Sequence, residues 1–376
     1  MAGIYLHIPF CRKACVYCDF HFSTSLGKKS EMVKAIELEI GQQQDFFQEK
    51  NSHINTIYFG GGTPSLLSVD ELAGLLAQIR QHFHVAPAAE ITLEANPDDL
   101  HPDFLMGLKS IGFNRLSIGT QSFRESDLQW MNRSHHADQA IQCVKDAQQA
   151  GFDNLTIDVI FGLPDTDLAQ WQWQLEQAIA LNVPHLSLYA LTVEEKTALA
   201  HQVQKDLVDL PEDEAYEEQF MFAHDFLQKA GYEHYELSNY AFPGKRSRHN
   251  SAYWDGVPYL GLGPSAHSFD GEKRYWNHAH NARYLKLIQS GSVQESEELL
   301  SREDRYHEYV MTGLRTARGI DIDQIEGELF PDWENHFAAD INRMLVEGYM
   351  LRENQQLRFT PKGWIISDRL IESFFI

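Results

Sequence analysis

Three cysteines near the start of the chain, Cys11, Cys15 and Cys18, stand four and three residues apart in Tyr5-Leu-His-Ile-Pro-Phe-Cys11-Arg-Lys-Ala-Cys15-Val-Tyr-Cys18-Asp-Phe20. They follow a short apolar run that reads as a strand, and a loop of this spacing can turn three thiolates toward one point. Thiolates suit iron–sulfur clusters and zinc. A cubane cluster normally takes four cysteines, and only three are offered here, so the count suggests a cluster with one iron open to another ligand. A Cys3His zinc knuckle using His7 and a set of three buried thiols are the competing readings of the spacing.

Further polar groups stand where apolar runs end. Gly60, Gly61 and Gly62 precede Thr63-Pro64, Glu94 opens Glu-Ala-Asn96-Pro97, Gln121 precedes Ser-Phe123, Arg133 follows Trp130-Met-Asn, and Asp158 ends another run. Glycines let backbone N–H and C=O groups approach a ligand closely. Glu94 and Asp158 can bind an ammonium or ribose hydroxyls, Gln121 can donate and accept, and Arg133 can pair with a carboxylate. Taken singly, each also reads as a cap for the helix that follows.

The elements that must position these groups are legible as alternating strand and helix patterns over the first 190 residues. Short apolar runs recur at Gly3–Ile8, Ile54–Phe59, Glu90–Leu93, Arg115–Ile118, Leu155–Ile160 and His185–Tyr189. Helical patterns separate them. One covers Glu31–Glu49, the next opens with the capping box Ser68-Val-Asp-Glu71, and another has Pro102 in its first turn and Gly112 past its end. His135–Ala150 and Asp167–Leu181 follow. Six β-then-α units predict a parallel sheet with right-handed crossovers, and ligand sites in such sheets collect at the C-terminal ends of strands. Periodicity does not choose between a partial barrel and a doubly wound sheet.

Beyond Val193 the pattern changes. Glu212–Ala230 reads as a long helix, Glu233–Ser238 as a strand, and Phe242–Asp270 as a long ordered loop or strand pair. Polar Ser292–Ser301 reads as a linker, which divides the chain into residues 1–290 and 291–376. The second part orders as helices over Arg302–Arg318, Asp321–Leu329 and Trp333–Glu347, a hairpin over Tyr349–Phe359 and a last helix over Pro361–Phe375, a mostly helical, winged-helix-like domain. Residues 331–376 hold seven acidic and five basic side chains, so packing or partner binding suits this domain better than DNA.

With 376 residues and 43% hydrophobic content the chain can bury one large core or two. Its net charge of −23 argues against nucleic acid, whose phosphates reward Lys and Arg, and disfavours simple electrostatic binding to anionic lipid. Four cysteines in this length are no disulfide scaffold, a three-cysteine cluster needs reducing surroundings, and no signal peptide or 18-residue apolar run is evident, so a cytoplasmic protein is expected. The fourth cysteine, Cys143, lies in a helical pattern and reads as a small packing residue.

The cysteine spacing, with Tyr17 before the last cysteine, resembles the signature of the radical S-adenosylmethionine (radical SAM) superfamily. In that family three cysteines hold a [4Fe-4S] cluster whose fourth iron is chelated by the methionine part of SAM. The resemblance covers nearly the whole chain. Tyr-x-His-Ile-Pro-Phe-Cys, Gly-Gly-Gly-Thr-Pro-Ser, Glu-Ala-Asn-Pro, Ser-Ile-Gly-x-Gln-Ser-Phe and Asp158-Val-Ile-Phe-Gly-Leu-Pro look like the oxygen-independent coproporphyrinogen III dehydrogenase-like family. It implies a partial (β/α)6 barrel, cluster ligands Cys11, Cys15 and Cys18, and SAM held by Tyr5, Gly61, Gly62, Thr63, Glu94, Gln121, Arg133 and Asp158. Two places resemble the heme-chaperone branch of the family. The dehydrogenase carries a fourth cysteine where this chain has Phe20, and it lacks the motif matched by His249-Asn-Ser-Ala-Tyr253-Trp254.

The heme-chaperone resemblance implies a protein that binds heme and passes it to acceptors such as respiratory heme proteins. It leaves the electron donor unidentified and admits a homodimer. A neutral imidazole is a standard axial ligand of heme iron, which makes His249 the candidate, with His267 and His278 as alternatives. Tyr253 and Trp254 offer flat apolar surface, and Lys245, Arg246 and Arg248 could meet propionates. The rival expectation is oxidative decarboxylation of a porphyrinogen propionate, started by a 5′-deoxyadenosyl radical.

Overall fold

The computed structural model describes residues 1–47, 53–291 and 296–376. Six parallel strands form first: β1 (Ala2–Ile8), β2 (Ile54–Gly61), β3 (Val85–Ala95), β4 (Arg115–Gln121), β5 (Leu155–Phe161) and β6 (His185–Ala190). They lie side by side in chain order. An unbroken order of this kind is that of a barrel wall, whereas a doubly wound sheet reverses at a switch point. Each strand is followed by a helix that covers the outer face, such as Lys29–Gln42, Val69–His82 and Pro102–Ile111. The expected helix starts and stops are present. Ser68 and Glu71 cap each other reciprocally, Pro102 occupies the first turn, and Gly112 ends its helix at φ 107°. The expected extension of the first helix to Glu49 reaches beyond the described residues; its helical part ends at Gln42.

The barrel does not close. β1 and β6 are not neighbours. Beyond β6 lie β7 (Glu233–Glu236) and β8 (Asn239–Ala241), antiparallel to each other, with β8 antiparallel to β6. Beyond β1 lie β9 (Tyr259–Leu262), parallel to it, then β10 (His267–Phe269), β11 (Lys273–Trp276) and β12 (Ser296–Leu299) in antiparallel order. Two expectations change here. The region read as a long ordered loop or strand pair does hold the antiparallel pair β9 and β10, but the helix Arg248–Trp254 precedes it. Part of the expected linker, Ser296–Leu299, is an edge strand of the large sheet, while residues 292–295 lie outside the described residues. Its Ser296, Glu297 and Glu298 side chains suit an exposed edge, where charge discourages further strand pairing.

The C-terminal part packs the helix Arg302–Leu314 beside a three-stranded sheet of β13 (Ile320–Asp321), β14 (Met350–Glu353) and β15 (Gln356–Phe359). The expected long helices break up: a turn of π-helix occupies Ile325–Leu329, Trp333–His336 and Ala338–Val346 are separate, and Pro361–Ile365 and Ser367–Glu372 replace the single last helix. A continuous apolar core runs from Ile4 in β1 to Phe374 at the end of the chain, so both parts share one interior. Among the described residues, no helix is long and apolar enough to cross a membrane.

Candidate functional site

Strand register sets the site. Tyr5 pairs across with Tyr58, Glu94 with Ser117, and Asp158 with Ser187, which places these side chains in one layer near the C-terminal ends of the strands. The Tyr58 hydroxyl donates to Glu94 Oε1 at 2.7 Å. Burial, with Asp158 nearby, pushes Glu94 up to about 7, and burial pushes Asp158 up to about 6. Two carboxylates held in this state can accept hydrogen bonds from hydroxyls or an ammonium arriving in the barrel mouth.

The glycine run at the end of β2 leaves no room for side chains. A Cβ on Gly60 would lie 2.9 Å from the Tyr5 ring and 3.1 Å from Glu94 Oε1. On Gly62 it would lie 2.6 Å from the Phe10 carbonyl, in the backbone that leads into the cysteine loop. Gly61 adopts φ 103°. Gln121 at the end of β4 adopts φ 63°, a left-handed conformation uncommon for a residue with a side chain and typical of constrained functional positions.

The cysteine loop is moored on several sides. Cys11 N–H donates to Ser23 O at 3.1 Å, Val16 N–H to Met131 O at 3.2 Å, and Asn132 Nδ2 to Ala14 O at 2.8 Å. Thr63 Oγ1 donates to Cys11 Sγ at 3.4 Å. Arg133 reaches Cys15 Sγ at 3.4 Å, Asn96 Oδ1 at 2.8 Å and Gly119 O at 2.7 Å, and its buried Nε has no partner. Arg12 pairs with Asp98 at 3.1 Å and with Asp99, and Ser65 donates to Asp99 at 2.6 Å. The structure therefore brings Tyr5, Gly61, Gly62, Thr63, Glu94, Gln121, Arg133, Asp158 and the three cysteines to one end of the barrel. Sequence reasoning passed over Arg12, Tyr58 and Asp99, whose roles depend on contacts across strands.

The three thiols are free and partly buried. Burial raises Cys18 to about 11, so it is a protonated thiol until a metal displaces the proton. Among the described residues, no three His, Cys, Asp or Glu side chains converge tightly enough for a single metal ion. His7 is committed as well, with Nδ1 3.1 Å from the Tyr5 hydroxyl and Nε2 2.8 Å from His21 O. Three partly buried thiols on one loop, with Thr63 and Arg133 donating to the sulfurs of Cys11 and Cys15, make a donor set that fits an iron–sulfur cluster held by three cysteines. The fourth cysteine, Cys143, is 3% exposed in the helix Ala137–Gln149 and donates to Ala140 O at 3.3 Å.

His249 lies deeper. It is 2% exposed, with Nδ1 2.8 Å from Thr56 Oγ1 and Nε2 3.0 Å from the Tyr253 hydroxyl, and its ring stacks on Tyr58 at 4.9 Å. Burial and the nearby Arg115 charge lower it to about 3, so it is neutral. Both ring nitrogens are thus engaged inside the protein. Lys245, Arg246 and Arg248 do not converge: they bind Asp153, Glu233 and the Ala88 carbonyl respectively.

On the other side of the helix Arg248–Trp254 is a cavity of about 870 Å³ between the open barrel seam and the C-terminal part, with Tyr253, Trp254, Tyr259, Phe269 and Tyr309 among its walls. A second cavity of about 340 Å³ lies toward the cysteine loop, bordered by Phe20, His21 and His267, and shares Tyr253 and Tyr259 with the first.

Comparison with known proteins agrees with this geometry. Residues 5–172 match the Radical SAM superfamily and residues 300–366 the HemN C-terminal domain. A Lactococcus lactis protein named heme chaperone HemW is 33% identical over 99% of this chain and 97% of its own length. One of the same name from Escherichia coli is 32% identical over 99% and 97%. A bovine mitochondrial radical S-adenosyl methionine domain-containing protein 1 is 32% identical over 99% and 87%. The solved structure of the Escherichia coli radical SAM enzyme coproporphyrinogen III oxidase (HemN) superposes with a TM-score of 0.85 at 25% identity, covering 99% of this chain and 89% of that one. Fold, cysteine loop and full-length similarity thus agree, and the chain belongs to the HemW family of radical SAM proteins.

Proposed function

We propose that this protein is a heme chaperone that binds heme and transfers it to acceptor heme proteins, respiratory ones among them. In this reading Cys11, Cys15 and Cys18 hold a [4Fe-4S] cluster, and SAM completes its open iron. When bound, that cluster would supply one-electron chemistry. The chain's own groups do the holding. Backbone groups of Gly61 and Gly62 meet the amino end of SAM, Thr63 steadies Cys11, and Arg133 faces the carboxylate. Glu94, Gln121 and Asp158 take the remaining polar groups, and Tyr5 walls the pocket. The barrel and the strands that flank it form the SAM-binding unit, and the part from Arg302 onward forms the unit that roofs the cleft.

Full-length similarity to proteins named heme chaperone supports this reading. The observation that carries it is Phe20, 65% exposed beside the cysteine loop, where the dehydrogenase resemblance calls for a cysteine. The HemN superposition favours a second reading, oxidative decarboxylation of coproporphyrinogen III. One pair of measurements separates them. Anaerobically reconstituted protein is titrated with heme, and is also incubated with coproporphyrinogen III, SAM and a reductant. Saturable heme binding without protoporphyrinogen is expected. Appreciable protoporphyrinogen formation would replace the first reading by the second.

A further inference from the structure

We propose that His249 is a positioning residue of the nucleotide site, locking the Tyr58 ring whose hydroxyl donates to Glu94 and tying that layer to the Tyr253 wall of the cleft. The inference rests on the SAM-binding reading above and concerns how the chain shapes that site.

Strand β3 carries both ends of the arrangement. Glu90, Thr92 and Glu94 alternate along it and so share one face. Glu90, 4% exposed, accepts from Arg248 N at 3.0 Å and from His249 N at 3.1 Å, which seats the first turn of the helix Arg248–Trp254 on a buried carboxylate. Ser247 Oγ accepts from Asn250 N at 3.3 Å and completes the cap. Seated in this way, the helix drives His249 inward, where Gly3 of β1 leaves it room. A Cβ on Gly3 would lie 3.5 Å from the imidazole and 2.9 Å from Thr56 Oγ1.

The imidazole is held in one plane. Burial keeps it neutral, with one N–H and one lone pair, and the hydroxyls of Thr56 and Tyr253 engage one nitrogen each, at 2.8 Å and 3.0 Å. Two bonds on opposite sides of the ring fix its rotation. Tyr58 lies against this plane at 19°, and Tyr5 lies 6.2 Å from Tyr58 at 26°. Gly60 closes the edge: a Cβ there would lie 3.0 Å from the Tyr58 ring. Tyr58 Oη therefore has one direction to point, and it is the one side chain that donates to Glu94 among the described residues. Without the imidazole, Tyr58 loses the surface that sets its tilt, and two buried hydroxyls lose their partner. Tyr253 borders both cavities, so the ring that orders the nucleotide layer also holds an aromatic wall of the cleft.

The test is SAM binding to the anaerobically reconstituted protein by equilibrium dialysis, with iron content and melting temperature reporting that each variant is folded. Tyr58→Phe, which removes the hydroxyl alone, should bind SAM about tenfold more weakly. His249→Gln, which keeps an amide for Thr56 but no ring, should lose about as much. The double variant should also lose about tenfold, and not about a hundredfold, because both changes break one link. His249→Phe, which returns a flat ring to the slot, should recover affinity to within about threefold of wild type. Should His249→Gln fail to fold, Tyr253→Phe frees one side of the imidazole and leaves every ring in place, and about threefold weaker SAM is expected. Wild-type affinity in folded His249→Gln, or in Tyr253→Phe where it stands in, would overturn the positioning role while the nucleotide reading stands. So would losses that multiply, or no recovery in His249→Phe. If cluster-loaded wild type binds no SAM, the nucleotide reading itself fails.

Discussion

At the scale of single residues, the chain separates cysteines that do chemistry from one that packs. Cys15 stands within reach of the Arg133 guanidinium at a half-open barrel mouth, whereas Cys143 is buried against its own helix and pushed up to about 12 by burial. Cys15→Ala should therefore abolish iron and sulfide incorporation and nucleotide binding together. Cys143→Ala should retain full iron content and cost about 1 kcal/mol in denaturant unfolding, near one buried sulfur-sized group. Iron content after anaerobic reconstitution checks both. The first group was legible in the sequence because its spacing is local. Tyr58 and Arg115 were not, since nothing in a strand's own pattern shows that its neighbours will aim carboxylates and imidazoles at it. Arg115 is 1% exposed with Nε and Nη1 unpartnered, and its charge acts on Glu94, Asp158 and His249 at once.

At the scale of elements, Glu39 shows how one buried carboxylate joins parts distant in sequence. It sits on the inner side of the helix Lys29–Gln42 and accepts from Gly263 N at 2.7 Å, Asn277 Nδ2 at 2.6 Å and Tyr284 Oη at 2.6 Å. Burial outweighs these donors and raises it from 4.5 to about 7. A carboxyl whose folded pKa is raised binds its proton more tightly in the native state. Its contribution to stability is full below the unfolded pKa and is lost as pH climbs through the folded one. Between about pH 4.5 and 7, Glu39 should thus remove about 3 kcal/mol of stability. Glu39→Gln should be less stable at pH 5, because its amide N–H groups oppose the same donors, and should show a shallower loss toward pH 7 in urea titrations. The strands and helices themselves were readable from period and caps. The helix Arg248–Trp254 was not, because a seven-residue helix among Gly, Pro and aromatics has too few turns to show a period.

At the scale of the whole molecule, the C-terminal part is built into the barrel's core. Trp364 is 4% exposed, donates to Leu314 O at 3.0 Å and meets the His234 ring of β7 at 4.6 Å. Leu237 N–H donates to Arg315 O and Ala317 N–H to Tyr235 O, so the backbone crosses the junction too. Trp364→Ala should lower stability by about 3–5 kcal/mol and still unfold in a single calorimetric transition, because the two parts share one interior. A separate early transition for residues beyond 300 would contradict that coupling. The cleft formed at this junction was out of reach of the sequence. Arg274, Arg305 and Tyr309 meet there only because two regions fold against each other.

The unclosed seam between β1 and β6 has a consequence for traffic. A sealed barrel has one doorway, and a bulky flat cargo would have to queue behind whatever occupies the cysteine end. Here the side of the wall offers a second opening, bordered by the helix Arg248–Trp254 and by the C-terminal part. In the proposed function this opening would let cargo come and go while the nucleotide stays seated.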